Sequence, residues 1–228
     1  METLLIKGGA RLSGQVVISG AKNASLPAIA AALLTEGTVN LSGVPGLHDI
    51  FTMCELLESV GVTAKWGPGC LSLDAGEASP RETSYSLVRR MRASFLIAGP
   101  MLARFGFARM PMPGGCAIGS RPIDLHLKAF SAMGAELSAE SGYIQARAPK
   151  GLRSAHIYFD YPSVGATENA MMAAALAKGS TILENAAREP EIVDLANLLT
   201  KMGAKVVGAG TGVIRIQGVD ELGGASHT

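Results

Sequence analysis

Hydrophobic and polar positions along the chain repeat on two scales. On the long scale, the apolar segments "ALLTEG", "MLARFG" and "ALAKGS" run into Gly37, Gly106 and Gly179, which lie 69 and 73 residues apart. A second set, "LLESVGVTAK", "FSAMGAEL" and "LLTKMGAKV", carries Gly61, Gly134 and Gly203, spaced by 73 and 69 residues. Two independent glycine markers with one shared period predict three copies of a single supersecondary unit. On the short scale each unit predicts two helices and several strands. The first helices, near Ala24–Thr35, Arg89–Phe105 and Thr167–Lys178, are apolar around most of their circumference, and such helices belong inside a domain. The second helix is amphipathic. Ile192, Leu195, Leu199 and Met202 share one face, opposite Asp194, Asn197 and Lys201. "GTVNL", "CLSLD", "STILE" and "GVIRIQ" alternate with the period of half-buried strands. The marker glycines fit left-handed positions at helix ends, where a side chain is penalised. The pattern therefore predicts an α/β fold with threefold pseudo-symmetry, buried helices being wrapped by sheets and surface helices.

The two ends extend the pattern. Lys7–Gly14, "KGGARLSG", aligns with Gln217–Gly224, "QGVDELGG", at a displacement of 210 residues, three periods on. The tail is thus expected to begin another unit, and the chain to be a fragment of a longer protein.

Composition narrows the function classes. With 228 residues, 48% of them hydrophobic, there is ample material for a core. A net charge of +1 and only 5% aromatics give neither the basic stripe nor the stacking residues of a nucleic-acid binder. Three scattered cysteines argue against a disulfide framework and for a reducing compartment. The start, "METLLIKGG", lacks the charged and apolar regions of a secretory signal. "LPAIAAALL" falls well short of the roughly 20 residues needed to span a bilayer. A cytoplasmic protein is expected, with neither nucleic acid nor membrane as a partner.

Candidate chemistry gathers in a few places. Cys116 sits among Gly114, Gly115 and Gly119, ahead of Arg121 and of a helix expected to open near Pro122. Helix-terminal N–H groups and an arginine would lower a thiol pKa and bind an anion. In "SGAKNASLPAI", Lys22 and Asn23 stand where a glycine turn enters a buried helix whose first turn is expected to hold Pro27. "SVGATENA", Ser163–Ala170, repeats the small-residue entry without the lysine, leaving backbone amides to cradle phosphate. Arg92, in "RRMRAS", enters another apolar helix and calls for an anionic partner. Each has a plainer reading: an inert loop thiol, a solvated lysine beside a cap, a structural salt bridge. The residues alone leave that choice open. Cys54 falls on an apolar helix face and reads as core, and Cys70 as a turn residue.

Taken in order, "SGAKNA", "RRMRAS", "MPGGCAIGSRPIDLH", "SVGAT" and "ENAAREPEIVD" resemble the first half of the UDP-N-acetylglucosamine enolpyruvyl transferase family, over essentially all 228 residues. The resemblance implies an inside-out α/β barrel with two domains of three units each. Residues 1–20 would complete the second, absent domain, and 21–228 would form the domain bearing the cysteine loop. It further implies transfer of the enolpyruvyl group of phosphoenolpyruvate to the 3′-hydroxyl of UDP-N-acetylglucosamine with release of phosphate, the first committed step of peptidoglycan synthesis. No cofactor and no metal are implied.

By position, Cys116 matches the family's general acid, which is also the residue alkylated by fosfomycin. Lys22, Arg92 and Arg121 match the basic residues around phosphoenolpyruvate and the nucleotide sugar, and Asn23 an asparagine that bonds the sugar. Arg121, Pro122, Ile123, Asp124 and Leu125, with Ser163, Val164 and Gly165, match the surface for uridine and diphosphate. Two positions depart from the family. Tyr161 and Pro162 precede Ser163 where a lysine is usual, and His48 stands where a lysine can occur. The carboxylate base for the sugar hydroxyl belongs to the other half, so the chain alone is expected to turn over little. The alternatives are a shikimate-pathway enolpyruvyl transferase, which does not use the loop cysteine, an RNA-phosphate cyclase-like protein, and a non-catalytic ligand-binding half.

Overall fold

The computed structural model describes residues 3–9, 11–81, 83, 85–112 and 123–228, with residues 89, 90 and 92 described by their backbone alone. The threefold plan is visible in the order of elements. The first unit runs α1 (Lys22–Ala31), β1 (Val39–Ser42), α2 (His48–Ser59), β2 (Thr63–Gly67) and β3 (Cys70–Asp74). After α3 (Tyr85–Arg90), the second has a 3-10 segment, Arg92–Ile97, leading into α4 (Ala98–Phe105). It continues through β4 (Phe107–Pro111), α5 (Asp124–Ala132), β5 (Glu136–Glu140) and β6 (Tyr143–Arg147). The third opens with β7 (His156–Tyr158) and α6 (Val164–Ala175). β8 (Ser180–Glu184), α7 (Pro190–Lys201), β9 (Lys205–Val207) and β10 (Val213–Gln217) follow, and the chain closes on β11 (Ala225–His227).

Each unit builds its own sheet: β11-β1-β3-β2, β4-β6-β5 and β7-β8-β10-β9. The outer hairpins are antiparallel, while β7 on β8 and β11 on β1 are parallel. The expected inside-out arrangement of helices within sheets is present, but the three sheets stay separate and no closed barrel forms among the described residues. The tail is accounted for as well. It supplies a fourth strand to the first sheet, Val39 lying opposite Ala225, as β7 does to the third. The middle sheet has instead the Thr83 hydroxyl, which donates to the Arg109 carbonyl of β4 at 3.1 Å.

Side-chain chemistry dictates which helices go inside. Ten consecutive residues of α6, Ala166 to Ala175, are buried, among them Thr167, Glu168 and Asn169. Small residues let α4 and α6 approach closely, and α1 packs between α2 and α7. On α7 the predicted stripe is buried, Ile192, Leu195, Leu199 and Met202 being at most 2% exposed. Gly61, Gly106, Gly134, Gly179 and Gly203 adopt φ between +65° and +113°, as the helix-end pattern requires. Gly37 is not left-handed. It is glycine because a Cβ there would lie 2.5 Å from the Gly224 amide nitrogen, where the tail crosses.

Two local expectations change. Helix α1 opens at Lys22, so Pro27 sits in its second turn. Proline brings no N–H, and the Asn23 carbonyl therefore forgoes its helical donor. Cys70 opens β3 instead of sitting in a turn. Cys54 is buried as expected. Desolvation, with Glu58 and Glu55 nearby, pushes its thiol up to about 12.

Candidate active site

The inner helical segments of the three units begin at the same place in their repeats, and their first turns line one cavity of about 560 Å³. Asn23 and Leu26 come from α1, Ala93, Phe95 and Leu96 from the 3-10 segment, and Ser163, Val164, Gly165 and Glu168 from α6 and its cap. Ile123 and His126 of α5 and the Tyr161–Pro162 step complete the wall. Helix beginnings carry unpaired N–H groups and the positive end of the dipole, so a cavity floored by several of them is suited to anions.

Of the residues expected in the site, Asn23, Ile123, Ser163, Val164 and Gly165 meet here. Ser163 caps α6, its hydroxyl accepting from the Ala166 N–H at 3.4 Å. Lys22 stands at the rim, paired with Asp49 of α2 at 2.7 Å and still 43% exposed. Asp49 follows His48, the position where the family pattern admits a lysine. Asp124 is exposed, and Leu125 is only 2% exposed, packed into the core under α5. Cys116, Arg121 and Pro122 lie outside the described residues, as does the side chain of Arg92. Lys128 of α5 pairs with Asp160 at 2.8 Å and ties that helix to the segment entering α6.

Sequence reasoning passed over three residues here: His126 and Glu168, which line the cavity, and Asn169, which backs His126 from behind the wall. Asn169, fully buried, accepts from the Gly99 N–H at 2.8 Å and donates to the Phe95 carbonyl at 2.9 Å. Because Gly99 can only donate, the oxygen of the carboxamide is fixed, and so is the amino group opposite it. That amino group lies 2.9 Å from Nδ1 of His126, which must then accept and leave the ring proton on Nε2. His126 stands edge-on to Phe95, with ring centroids 5.2 Å apart. A Cβ on Gly165 would lie 3.6 Å from Nε2, which puts that nitrogen beside the first turn of α6.

Glu168 is the third. It is 3% exposed, and its Oε1 is buried with no hydrogen-bond partner. Burial first, then Glu191 and Glu189, raises its carboxyl from 4.5 to about 8. The one hint in the sequence was polar letters inside an apolar helix, which fold into a site only if partners from other repeats arrive. No cluster of His, Cys, Asp and Glu suited to a metal occurs among the described residues.

Helices within sheets in threefold repeats, with inner helix starts converging on one anion-suited cavity, define the enolpyruvyl transferase fold. The enolpyruvyl transferase NikO from Streptomyces tendae superposes with a TM-score of 0.81 at 24% identity, over 96% of this chain and 52% of that one. The EPSP synthase from Acinetobacter baumannii gives 0.73 at 20% identity, over 93% and 48%. Residues 6–228 match the family profile of EPSP synthase (3-phosphoshikimate 1-carboxyvinyltransferase), and the chain belongs to that family. Among curated relatives, it is 58% identical to UDP-N-acetylglucosamine 1-carboxyvinyltransferase 2 of Carboxydothermus hydrogenoformans, over all of this chain and 54% of that protein. It is 56% identical to UDP-N-acetylglucosamine 1-carboxyvinyltransferase 1 of Halalkalibacterium halodurans, over all of this chain and 52% of that protein. The chain thus spans about half the length of the curated relatives it matches.

Proposed function

We propose that this chain is the part of a UDP-N-acetylglucosamine enolpyruvyl transferase that carries the cysteine loop, and that it works with the remaining half of the same enzyme. The observation carrying this reading is the convergence of Asn23, Ile123 and Ser163–Gly165, drawn from all three units, on one cavity at the starts of the inner helices. The names of relatives at more than half identity favour UDP-N-acetylglucosamine over a shikimate acceptor. The cysteine in "PGGC" supports the same choice.

In the proposed reaction the 3′-hydroxyl oxygen of UDP-N-acetylglucosamine bonds to C2 of phosphoenolpyruvate, and Cys116 delivers a proton to C3. The hydroxyl proton leaves to a carboxylate on the other half. In the second step C3 loses a proton, the C2–O bond to phosphate breaks, and the double bond re-forms. Lys22, Arg92 and Arg121 would hold the phosphate and carboxylate as charge develops on them. The amides of Ser163–Gly165, at the start of α6, would take the diphosphate. Tyr161 and Pro162 leave that diphosphate without the family's usual lysine, so these amides carry more of the task here.

Residues 3–9 and 11–20 fit a partnership with the second domain. Leu4, Leu5, Leu12, Val16, Val17 and Ile18 are all more than 80% exposed, an apolar run to be covered by something beyond this domain. None of the described helices is long and apolar enough to cross a membrane. We place the reaction in the cytoplasm, where both substrates would be met.

Fosfomycin labelling of the full natural chain tests the reading. A single adduct on Cys116, formed faster with UDP-N-acetylglucosamine, is the expected result. Buried Cys54, with its thiol pushed up to about 12, stays unmodified, and peptide mapping separates an adduct on Cys116 from one on the partly exposed Cys70. Phosphate release with shikimate 3-phosphate as acceptor, and none with UDP-N-acetylglucosamine, would replace this reading by the shikimate one.

A further inference from the structure

A carboxyl buried to 3% exposure with a partnerless oxygen is costly to keep in a folded protein, and here it lines a cavity. Glu168 lies one turn beyond the amides at the start of α6. In a helix, side chains lean towards the N-terminus, and positions three and four apart share a face. Glu168 therefore leans back over Val164 and Gly165, two of the residues whose amides open the anion site. Gly165 adds no side chain to that face and leaves the way between carboxyl and cavity open.

We propose that Glu168 reads the ligand of this cavity, its carboxyl donating a hydrogen bond to an oxygen of the bound diphosphate. This rests on the nucleotide-sugar reading given above.

The groups around Glu168 determine which charge state it keeps. From the start of α7, Glu191 and Glu189 oppose its ionisation, after burial itself. From α5 comes His126, whose Nδ1 is committed to Asn169. The α1 face presents Asn23 and Leu26 to the cavity, while Lys22 is turned to Asp49. The 3-10 segment offers Ala93, Phe95 and Leu96 to the cavity, with Arg92 at its first position. A neutral carboxyl in this setting donates to a phosphate oxygen as a serine hydroxyl would. An ionised one places a negative charge against the anion and opposes binding. A protonated acid can thus add a donor next to the helix start, where Tyr161 and Pro162, just ahead of Ser163, bring no cation.

Calorimetric titration of UDP-N-acetylglucosamine into the full natural chain, at pH 7 and pH 9, decides the matter. The wild type is expected to bind about tenfold more weakly at pH 9, as a carboxyl with a pKa of about 8 gives up its proton. Glu168→Gln keeps a neutral donor and should bind equally at both pH values, at the wild-type level of pH 7. Glu168→Leu, shown to be folded by circular dichroism, should bind about tenfold more weakly at both, with no pH step. Should the leucine variant not fold, the glutamine profile decides alone. A glutamine variant that repeats the wild-type pH step, or a folded leucine variant that binds normally at pH 7, overturns the role of Glu168 alone. A wild type that ignores UDP-N-acetylglucosamine at pH 7 overturns the functional reading, and this inference with it.

Discussion

The carboxamide of Asn169 lies 2.9 Å from Nδ1 of His126, and its other contacts leave only one way to share protons between them. Gly99 fixes the oxygen and Phe95 the amino group, so the imidazole carries its proton on Nε2 at the cavity wall. Long-range nitrogen–proton NMR is expected to find Nδ1 of His126 unprotonated at pH 8. Asn169→Leu leaves the buried Gly99 N–H without its side-chain acceptor, while the Phe95 carbonyl keeps the Ala98 N–H. At about 1–3 kcal/mol for such an orphan, a loss of that size is expected in urea unfolding. A loss below 1 kcal/mol would show that this network is not holding the inner helices together.

Gly99 takes part in the same contact for a different reason. A Cβ there would come within 2.5 Å of Asn169 Oδ1 and 2.6 Å of its carbonyl oxygen, and the latter is backbone that cannot swing aside. Gly99→Ala must therefore push α4 away from α6. We expect destabilisation of about 1–3 kcal/mol, although alanine is the better helix former. Thermal melts of the two forms check this, and a higher melting temperature for the alanine variant would contradict it.

The contrast between what the sequence disclosed and what it hid lies along α6. Its burial was legible, because a run such as "AMMAAALA" has no polar face to give to water. So was the pairing of inner and outer helices, since Ile192, Leu195 and Leu199 recur at the helical period. Asn169 and Glu168 were not legible, because the partners that give Asn169 its meaning, Gly99 and Phe95, lie 70 and 74 residues earlier, in the preceding unit. Pro27 was placed a turn too early because the start of α1 at Lys22 has no side-chain cap to mark it. The helix start at Ser163–Gly165 was legible, because a serine cap and a glycine are local signals. The burial of Leu125 was not, because it depends on which face α5 turns to the core.

Glu168 makes stability depend on pH. Its folded pKa, about 8, is above the ordinary 4.5 of an unfolded chain, so between these values the folded form binds a proton that the unfolded form has lost. Stability therefore falls as pH rises from about 4.5 to about 8 and levels off beyond, a total on the order of a few kcal/mol. Glu168→Gln removes this slope. Urea unfolding at pH 5 and pH 8 should show the variant's advantage over wild type growing with pH. Parallel curves for the two would show that the carboxyl is ionised in the folded chain.

Arg104 performs a structural task that its charge conceals. Its Nη1 donates to the carbonyls of Leu33, Thr35 and Ala75 at 2.9–3.2 Å, and the side chain is 12% exposed. The second unit thereby closes the C-terminal end of the first unit's inner helix. The Glu36 carboxylate, 3.6 Å away and 84% exposed, adds little. Arg104→Met is expected to cost about 2–4 kcal/mol by stranding buried carbonyls, and Glu36→Gln less than 0.5 kcal/mol. Comparable losses in the two variants would mean that the ion pair, and not the carbonyls, holds the arginine.

Lys22 should behave in the opposite way. Its pair with Asp49 at 2.7 Å is half in water, 43% and 34% exposed, and such pairs contribute about 0–1 kcal/mol to folding. Lys22→Ala is therefore expected to leave the melting temperature within about 2 °C of wild type. Under the proposed function the same ammonium must leave Asp49 and turn to an anionic substrate when one is bound. Lys22→Ala should then weaken phosphoenolpyruvate-dependent turnover of the full natural chain by a hundredfold or more, since a charge facing developing charge is worth about 3 kcal/mol or more in a closed site. Asp49→Asn separates the two roles, because it frees the lysine without removing it. If Asp49 only holds Lys22 until substrate binds, that variant should bind phosphoenolpyruvate as well as wild type or better. If it instead orients Lys22 towards the substrate, Asp49→Asn should lose activity nearly as severely as Lys22→Ala, and steady-state kinetics on the two variants tells these apart.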